Sequence, residues 1–226
     1  MPTNIEKIRC YISDVIISLD GADQEKSYLP KSILELDGMS SPKCRHLLNN
    51  LGMHTLFNHS EELNYLEIGL FKGSTFVSAA YDKLDMNFFG IENYSEFNDE
   101  QHYTNGKTVE QTFEENLLLL DKRPTVFKED CFKIDLNKLP KIDIYFYDGN
   151  HSHAAQELAY TYFNPVLSDV FITIVDDWEC KVGGPKNGTF AAFKKLGYKV
   201  RYYEELPVGE KDGYWGGQFI AVIEKP

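Results

Sequence analysis

Between Leu63 and Glu92 the chain runs through an apolar strand, a glycine turn, a helix of small residues, a second apolar strand and an acid. That order commits it to a βαβ unit. Leu66, Ile68 and Leu70 make the first apolar run, interrupted by Glu67 and turning at Gly69, and Leu70-Phe71-Lys72-Gly73-Ser74-Thr75 opens the helix. Gly69 can turn with positive φ, and Gly73 lets backbone approach a ligand closely, because neither carries a Cβ. Phe88-Phe89-Gly90-Ile91 forms the second strand. Glu92 caps it at about the twenty-residue offset where an acid accepts hydrogen bonds from ribose hydroxyls.

The spacing is Glu-x-Gly-x-x-x-Gly rather than Gly-x-Gly-x-x-Gly. A dinucleotide pyrophosphate needs the tighter pattern and a helix N-terminus aimed at phosphate, so the looser turn suits an adenosine ligand without phosphates. In these residues the chain resembles the class I S-adenosylmethionine-dependent methyltransferases. Their first motif has an acid before the first glycine, and their second strand ends in a ribose-binding acid. The resemblance implies cofactor contacts from Glu67, Gly69, Gly73, Ser74, Glu92 and Asp148. It also implies an adenine-reading acid after the third strand, where Asp130 follows Glu129. Taken alone, the turn also fits an ordinary strand-to-helix connection.

From Leu63 onward strand and helix signals alternate. Thr108 to Leu120 puts Val109, Phe113, Leu117 and Leu120 on one helical face, and a strand resumes over Pro124 to Phe127. Ile142 to Tyr147 and Val170 to Val175 read as strands, with helices over Ala154 to Tyr162 and Gly188 to Leu196. Continuous hydrophobic strands between helices indicate a parallel sheet covered on both faces. Tyr198 to Tyr203 and Gln218 to Ile223 are joined by a turn-rich segment with no room for a crossover helix, so they pair antiparallel. The expected fold is α/β: a Rossmann-like, open, mostly parallel seven-stranded sheet, with helices on both faces and one antiparallel terminal strand. Residues 61–226 form that domain. Residues 1–60 read as a helical extension, with Ser41 as N-cap, Pro42 in the first turn and Gly52 past the end of one helix. It is a candidate lid, packing appendage or dimer arm. The segment carrying Ile5, Ile8, Val15 and Ile16 fits a helical stripe loosely and stops near Gly21.

In open α/β sheets the ligand crevice lies beyond the carboxyl ends of the strands. Asp148 ends the fourth strand and Asp176-Asp177 the fifth. Neighbouring strands lie roughly 4.8 Å apart, so the three carboxylates can converge. Such a cluster asks for a hard divalent cation held through oxygen, most simply Mg²⁺. This is similar to the catechol-type and macrolide or cephamycin sugar-type O-methyltransferases, in which acids after these strands hold the metal. Asp-Asp departs from their usual Asp-Asn or Glu-Asp, which leaves the role of Asp177 open. An Asp after a strand also serves as a helix cap or turn residue. His151 stands where the catechol-type enzymes carry a lysine base, and imidazole titrates near neutral pH, so it is the candidate base, with His153 as competitor. Trp178 is a candidate pocket wall, Tyr94 a candidate ribose or adenine contact, and Asp143 a solvent-side or sheet-edge residue.

The formal charge of -12 argues against nucleic acid or an anionic membrane as partner. Cys10, Cys44, Cys131 and Cys180 follow no metal-knuckle or disulfide spacing. With no basic leader and no long apolar run, the expected setting is cytoplasmic. The resemblance implies methyl transfer to a hydroxyl of a small molecule with neighbouring oxygens, by a chain that could form a homo-oligomer. Two rivals stay open: a metal-free N- or C-methyltransferase or aminopropyl transferase, and a non-catalytic cofactor-binding domain.

Overall fold

The computed structural model describes residues 3–53, 62–180, 183–209 and 213–226. The end of the N-terminal extension, residues 54–60, and residues 210–212 of the last turn lie outside these.

Seven strands form one sheet: β1 (Leu63–Ile68), β2 (Met86–Ile91), β3 (Thr125–Phe127), β4 (Ile142–Tyr147), β5 (Leu167–Val175), β6 (Lys199–Leu206) and β7 (Gln218–Glu224). Their order is β3-β2-β1-β4-β5-β7-β6. β7 runs antiparallel to both of its neighbours, and the remaining pairs are parallel. Strand order therefore reverses between β1 and β4, the switch point where open sheets leave a crevice.

Side chains alternate across the sheet into two cores. Tyr65, Ile144, Phe146, Ile172 and Ile174 join one, and Leu66, Ile68, Tyr145, Tyr147 and Phe171 the other. The first is closed by helices Asn4–Asp23, Pro42–Asn50 and Ser74–Ala80, which contribute Tyr11, Val15, Leu47, Leu48 and Phe76. The second is closed by His153–Phe163 and Gly184–Leu196, through Tyr160, Phe163, Ala192 and Phe193. Burying each of the Val, Leu, Ile and Phe side chains among these stabilises the fold by about 1.5–3 kcal/mol. The described part of the N-terminal extension thus shares the core of the sheet.

Local chemistry explains the helix boundaries. Thr3 and Glu6 form a capping box, and the first helix runs through Gly21 to Asp23. Gly21 does not end it: a Cβ there would lie 2.5 Å from the Asn50 amide, so the glycine admits a neighbouring side chain. Ser41 caps the Pro42–Asn50 helix as expected, accepting from the Cys44 amide at 3.1 Å. Lys83 is buried against the other end of that helix, its Nζ donating to the Leu48 and Leu51 carbonyls.

Two sequence expectations are corrected. Asp143 is neither solvent-side nor at an edge, because β4 is central in the sheet. Its buried carboxylate accepts from the Asn64 amide (3.1 Å), the Ser168 hydroxyl (2.9 Å) and the Tyr11 hydroxyl (3.3 Å). Trp178 does not wall the cavity described below; it is buried and stacks on Phe219 with ring centroids 4.3 Å apart. The four cysteines are free, and no described helix is long and apolar enough to cross a membrane.

Candidate active site

Strand register brings the sequence-predicted residues together. Ile68 pairs with both Ile91 and Tyr147, and Tyr147 pairs with Val175, so β1, β2, β4 and β5 end level. The next residues are Gly69, Glu92, Asp148 and Asp176. Each continues the ladder by one bond: Gly69 N to Ile91 O, Asp148 N to Ile68 O, Glu92 N to Phe127 O and Asp176 N to Tyr147 O, at 2.9–3.2 Å. All four line one cavity of about 980 Å³, together with Ser74, Thr75, Asp130, His151 and Asp177. Phe71, Tyr94, Phe97 and Asp177 also line it, each with a left-handed φ that is uncommon outside glycine. Residues held in that region cluster at ligand sites.

At the β1/β2 end the loops are tied to Glu92. One carboxylate oxygen accepts from the Leu70 and Phe71 amides, both at 3.0 Å, and the other from the Asn93 and Tyr94 amides at 2.8 and 2.9 Å. Those bonds fill the acceptor positions of a carboxylate. Glu92 therefore organises both loops, and a ribose diol would have to share or displace these donors.

The glycines act differently from each other. A Cβ on Gly69 would lie 2.0 Å from the Asp148 carbonyl oxygen, so this glycine lets the tips of β1 and β4 close. Gly73 does not line the cavity, and the space its Cβ would take holds the Phe113 ring at 2.6 Å. Its freedom serves packing rather than ligand approach.

Glu67 stands one residue before that turn, fully buried, and accepts from the Tyr65 and Thr75 hydroxyls at 2.6 Å each. Burial raises its pKa to about 8, against the pull of the two hydroxyls. Ser74 sits under the segment carrying Gly38 and Met39. Its hydroxyl lies 3.2 Å from that of Ser40, and a Cβ on Gly38 would strike it at 2.1 Å. Asp130 lines the cavity, held by the Phe132 amide and Lys133, which lower its pKa.

The other end carries the acids. Burial raises Asp148 and Asp176, and their mutual proximity opposes double ionisation. His151 lies between carboxylates, with Nδ1 3.0 Å from Asp177 and Nε2 3.8 Å from Asp148. These two carboxylates raise its pKa to about 10, against the cost of burial. The imidazole thus departs from the expected near-neutral titration. Gln218, which opens β7, donates to Asp176 Oδ1 at 2.7 Å, while its own Oε1 is buried without a partner. Three carboxylates are a donor set suited to a hard cation. Among the described residues, however, no three His, Cys, Asp or Glu side chains are grouped to hold a metal, and Asp177 lies 3.0 Å from His151 Nδ1.

Sequence reasoning missed Thr75, Gln218 and Met39. The signal for Gln218 was present: one amide opens the otherwise apolar run Phe219-Ile220-Ala221-Val222-Ile223. Trp215, in the turn closed by the Gly217 N to Tyr214 O bond before β7, also lines the cavity.

No protein-family model matches the chain, and no curated protein does. Solved structures do. An O-methyltransferase from Bacillus cereus in complex with SAH superposes with TM-score 0.60 and 16% identity, covering 95% of this chain and 100% of that one. This chain has the class I S-adenosylmethionine-dependent methyltransferase fold. The SAH-bound Podospora anserina methyltransferase PaMTH1 matches with TM-score 0.57 and 15% identity, covering 100% and 98% of the two chains. Cofactor-bound Rv0187 from MTB gives 0.57 and 14%, covering 96% and 90%.

Proposed function

We propose that the chain is an S-adenosylmethionine-dependent methyltransferase that transfers a methyl group to a hydroxyl oxygen of a small molecule. One observation carries this reading: the residues immediately beyond four neighbouring strand tips, Gly69, Glu92, Asp148 and Asp176, line a single cavity. Adenosine would occupy the Gly69/Glu92 end, with Asp130 at the adenine, and the sulfonium would face the Asp148/Asp176 end. The SAH-bound neighbours with the same fold support the choice of cofactor.

The acceptor oxygen attacks the methyl carbon in line. A C–O bond forms as the C–S bond breaks, its electron pair returns to sulfur, and the hydroxyl proton passes to a base. His151 is the proposed base in its neutral form, the minor one while the ionised Asp177 and Asp148 hold its pKa at about 10; its Nδ1 lies 3.0 Å from Asp177, and its Nε2 has no hydrogen-bond partner. Closing the acceptor against the sulfonium is worth several kcal/mol in positioning alone, on the order of 7 where alignment is good. Asp148, Asp176 and Asp177 would hold a magnesium ion, which when bound supplies positive charge beside the acceptor oxygen. What supports the ion is the donor set, not the present arrangement of the side chains. A small-molecule acceptor, rather than nucleic acid, is supported by a cavity lined, among the described residues, by no lysine or arginine. The unpaired cysteines fit a cytoplasmic setting.

The test is transfer of a labelled methyl group from S-adenosylmethionine to a panel of diols, catechols and amines, with and without a chelator. Label on hydroxyl oxygens supports the reading. Label only on nitrogen, or cofactor binding without turnover, would replace it with the amine-transferase or binding-domain reading.

A further inference from the structure

The cavity carries an unbalanced charge. Glu92, Glu96, Glu129, Asp130, Asp148, Asp176 and Asp177 line it, against the single cationic side chain His151. These carboxylates outnumber the positive charges the proposed reaction could bring: an imidazolium, the cofactor's sulfonium, its α-ammonium, which the cofactor's own carboxylate offsets, and a divalent ion. The chain as a whole, at -12, adds no compensating field. A second observation is independent of the acids. Gln218 is 2% exposed, and its carbonyl oxygen has no hydrogen-bond partner. It lines a small adjoining cavity together with Asp148, Asp176, Trp215 and Met39, a space of about 10 Å³. An unpaired buried acceptor costs free energy that a donor group restores. Carboxylates and an unpaired amide oxygen have acceptors to offer and, at that end, few donors. Two exposed rings, Phe97 and Trp215, complete the wall and can face a cation.

We infer that the methyl acceptor carries no phosphate, carboxylate or coenzyme A group, and that it bears a protonated amine, received by Asp148, Asp176 and the Gln218 oxygen in the place given above to a magnesium ion. This rests on the methyltransferase reading above and narrows its substrate class. An anionic acceptor entering this cavity meets like charge with no lysine or arginine among the described lining residues to offset it, so discrimination comes from repulsion as well as attraction. Gln218 sets the amine's position through its bond to Asp176, and Glu96, on an exposed loop, sets the field at the mouth.

The experiment compares matched acceptors that differ in one group. Two triplets are offered with labelled S-adenosylmethionine: dopamine, 4-methylcatechol and 3,4-dihydroxyphenylacetate; and glucosamine, glucose and glucuronate. In any triplet that is methylated on oxygen, the amine member should exceed the acid member at least tenfold in kcat/KM, with the neutral member between. Glu96→Lys should narrow that ratio severalfold, and Gln218→Leu should raise KM for the amine member more than for the neutral one. An acid member methylated as fast as its amine partner overturns the inference and leaves the methyltransferase reading standing. Retained SAH binding with no oxygen methylation in either triplet overturns that reading, and this inference with it.

Discussion

Gly69→Ala probes the close approach of two strand tips. The new Cβ would sit 2.0 Å from the Asp148 carbonyl oxygen, where side-chain carbons keep at least 3.0 Å from other heavy atoms. The tips of β1 and β4 must therefore part by about 1 Å, and close-packed interiors do not absorb that freely. The residue also keeps φ +87°, which costs a non-glycine about 1–2 kcal/mol. Parting the tips weakens the Asp148 N to Ile68 O bond, another kcal/mol or so, about 1 on the usual scale. The total expected loss is about 3 kcal/mol or more, at the upper end for point substitutions. The control is Gly106→Ala: it has φ +77° but no atom within 4 Å of the new Cβ, so it carries only the backbone cost. Urea unfolding of the two variants, with SAH titrations of each, separates overlap from strain. Equal midpoints for the two variants, with unchanged SAH affinity at Gly69→Ala, would refute the claim that this glycine closes the crevice.

Glu92→Gln replaces two acceptor positions with donors facing backbone amides, at about 1.5–3 kcal/mol for each charge-assisted bond lost; calorimetry should show SAH binding weakened at least tenfold. His151→Ala should lower kcat by about 10²–10⁴ while SAH affinity stays within twofold, measured by single-turnover methyl transfer and calorimetry. Burial of Lys83 lowers its pKa from 10.5 to about 7, so between those values the unfolded chain binds more protons and stability rises with pH. Relative to Lys83→Met, wild-type stability should climb with pH from 7 toward 10, by at most about 1.4 kcal/mol per unit, and parallel pH curves for the two proteins would contradict it.

The sheet was legible because its strands are continuous apolar runs ended by glycine or acid, and the Ile142–Tyr147 boundaries are those read from the sequence. The crevice was legible for the same reason: level strand tips put the next residues side by side. What escaped was set by tertiary neighbours. Asp143 looked like a surface acid, because nothing local shows that β4 lies at the centre of the sheet or that Tyr11, from a distant helix, will reach it. Gly73 looked like a ligand glycine, but the ring that claims its space comes from Phe113, forty residues on. His151 looked like a free imidazole, because its contact with Asp177 exists only once β4 and β5 pair. Trp178 looked like a pocket wall, but its stacking on Phe219 depends on where β7 returns.

The most direct test of the shared crevice is a crystal structure of the chain with bound SAH. Adenosine lying against Gly69 and Glu92, with sulfur directed at Asp148 and Asp176, is the predicted result. SAH bound outside this cavity, or with its sulfur turned away from those two acids, would contradict it.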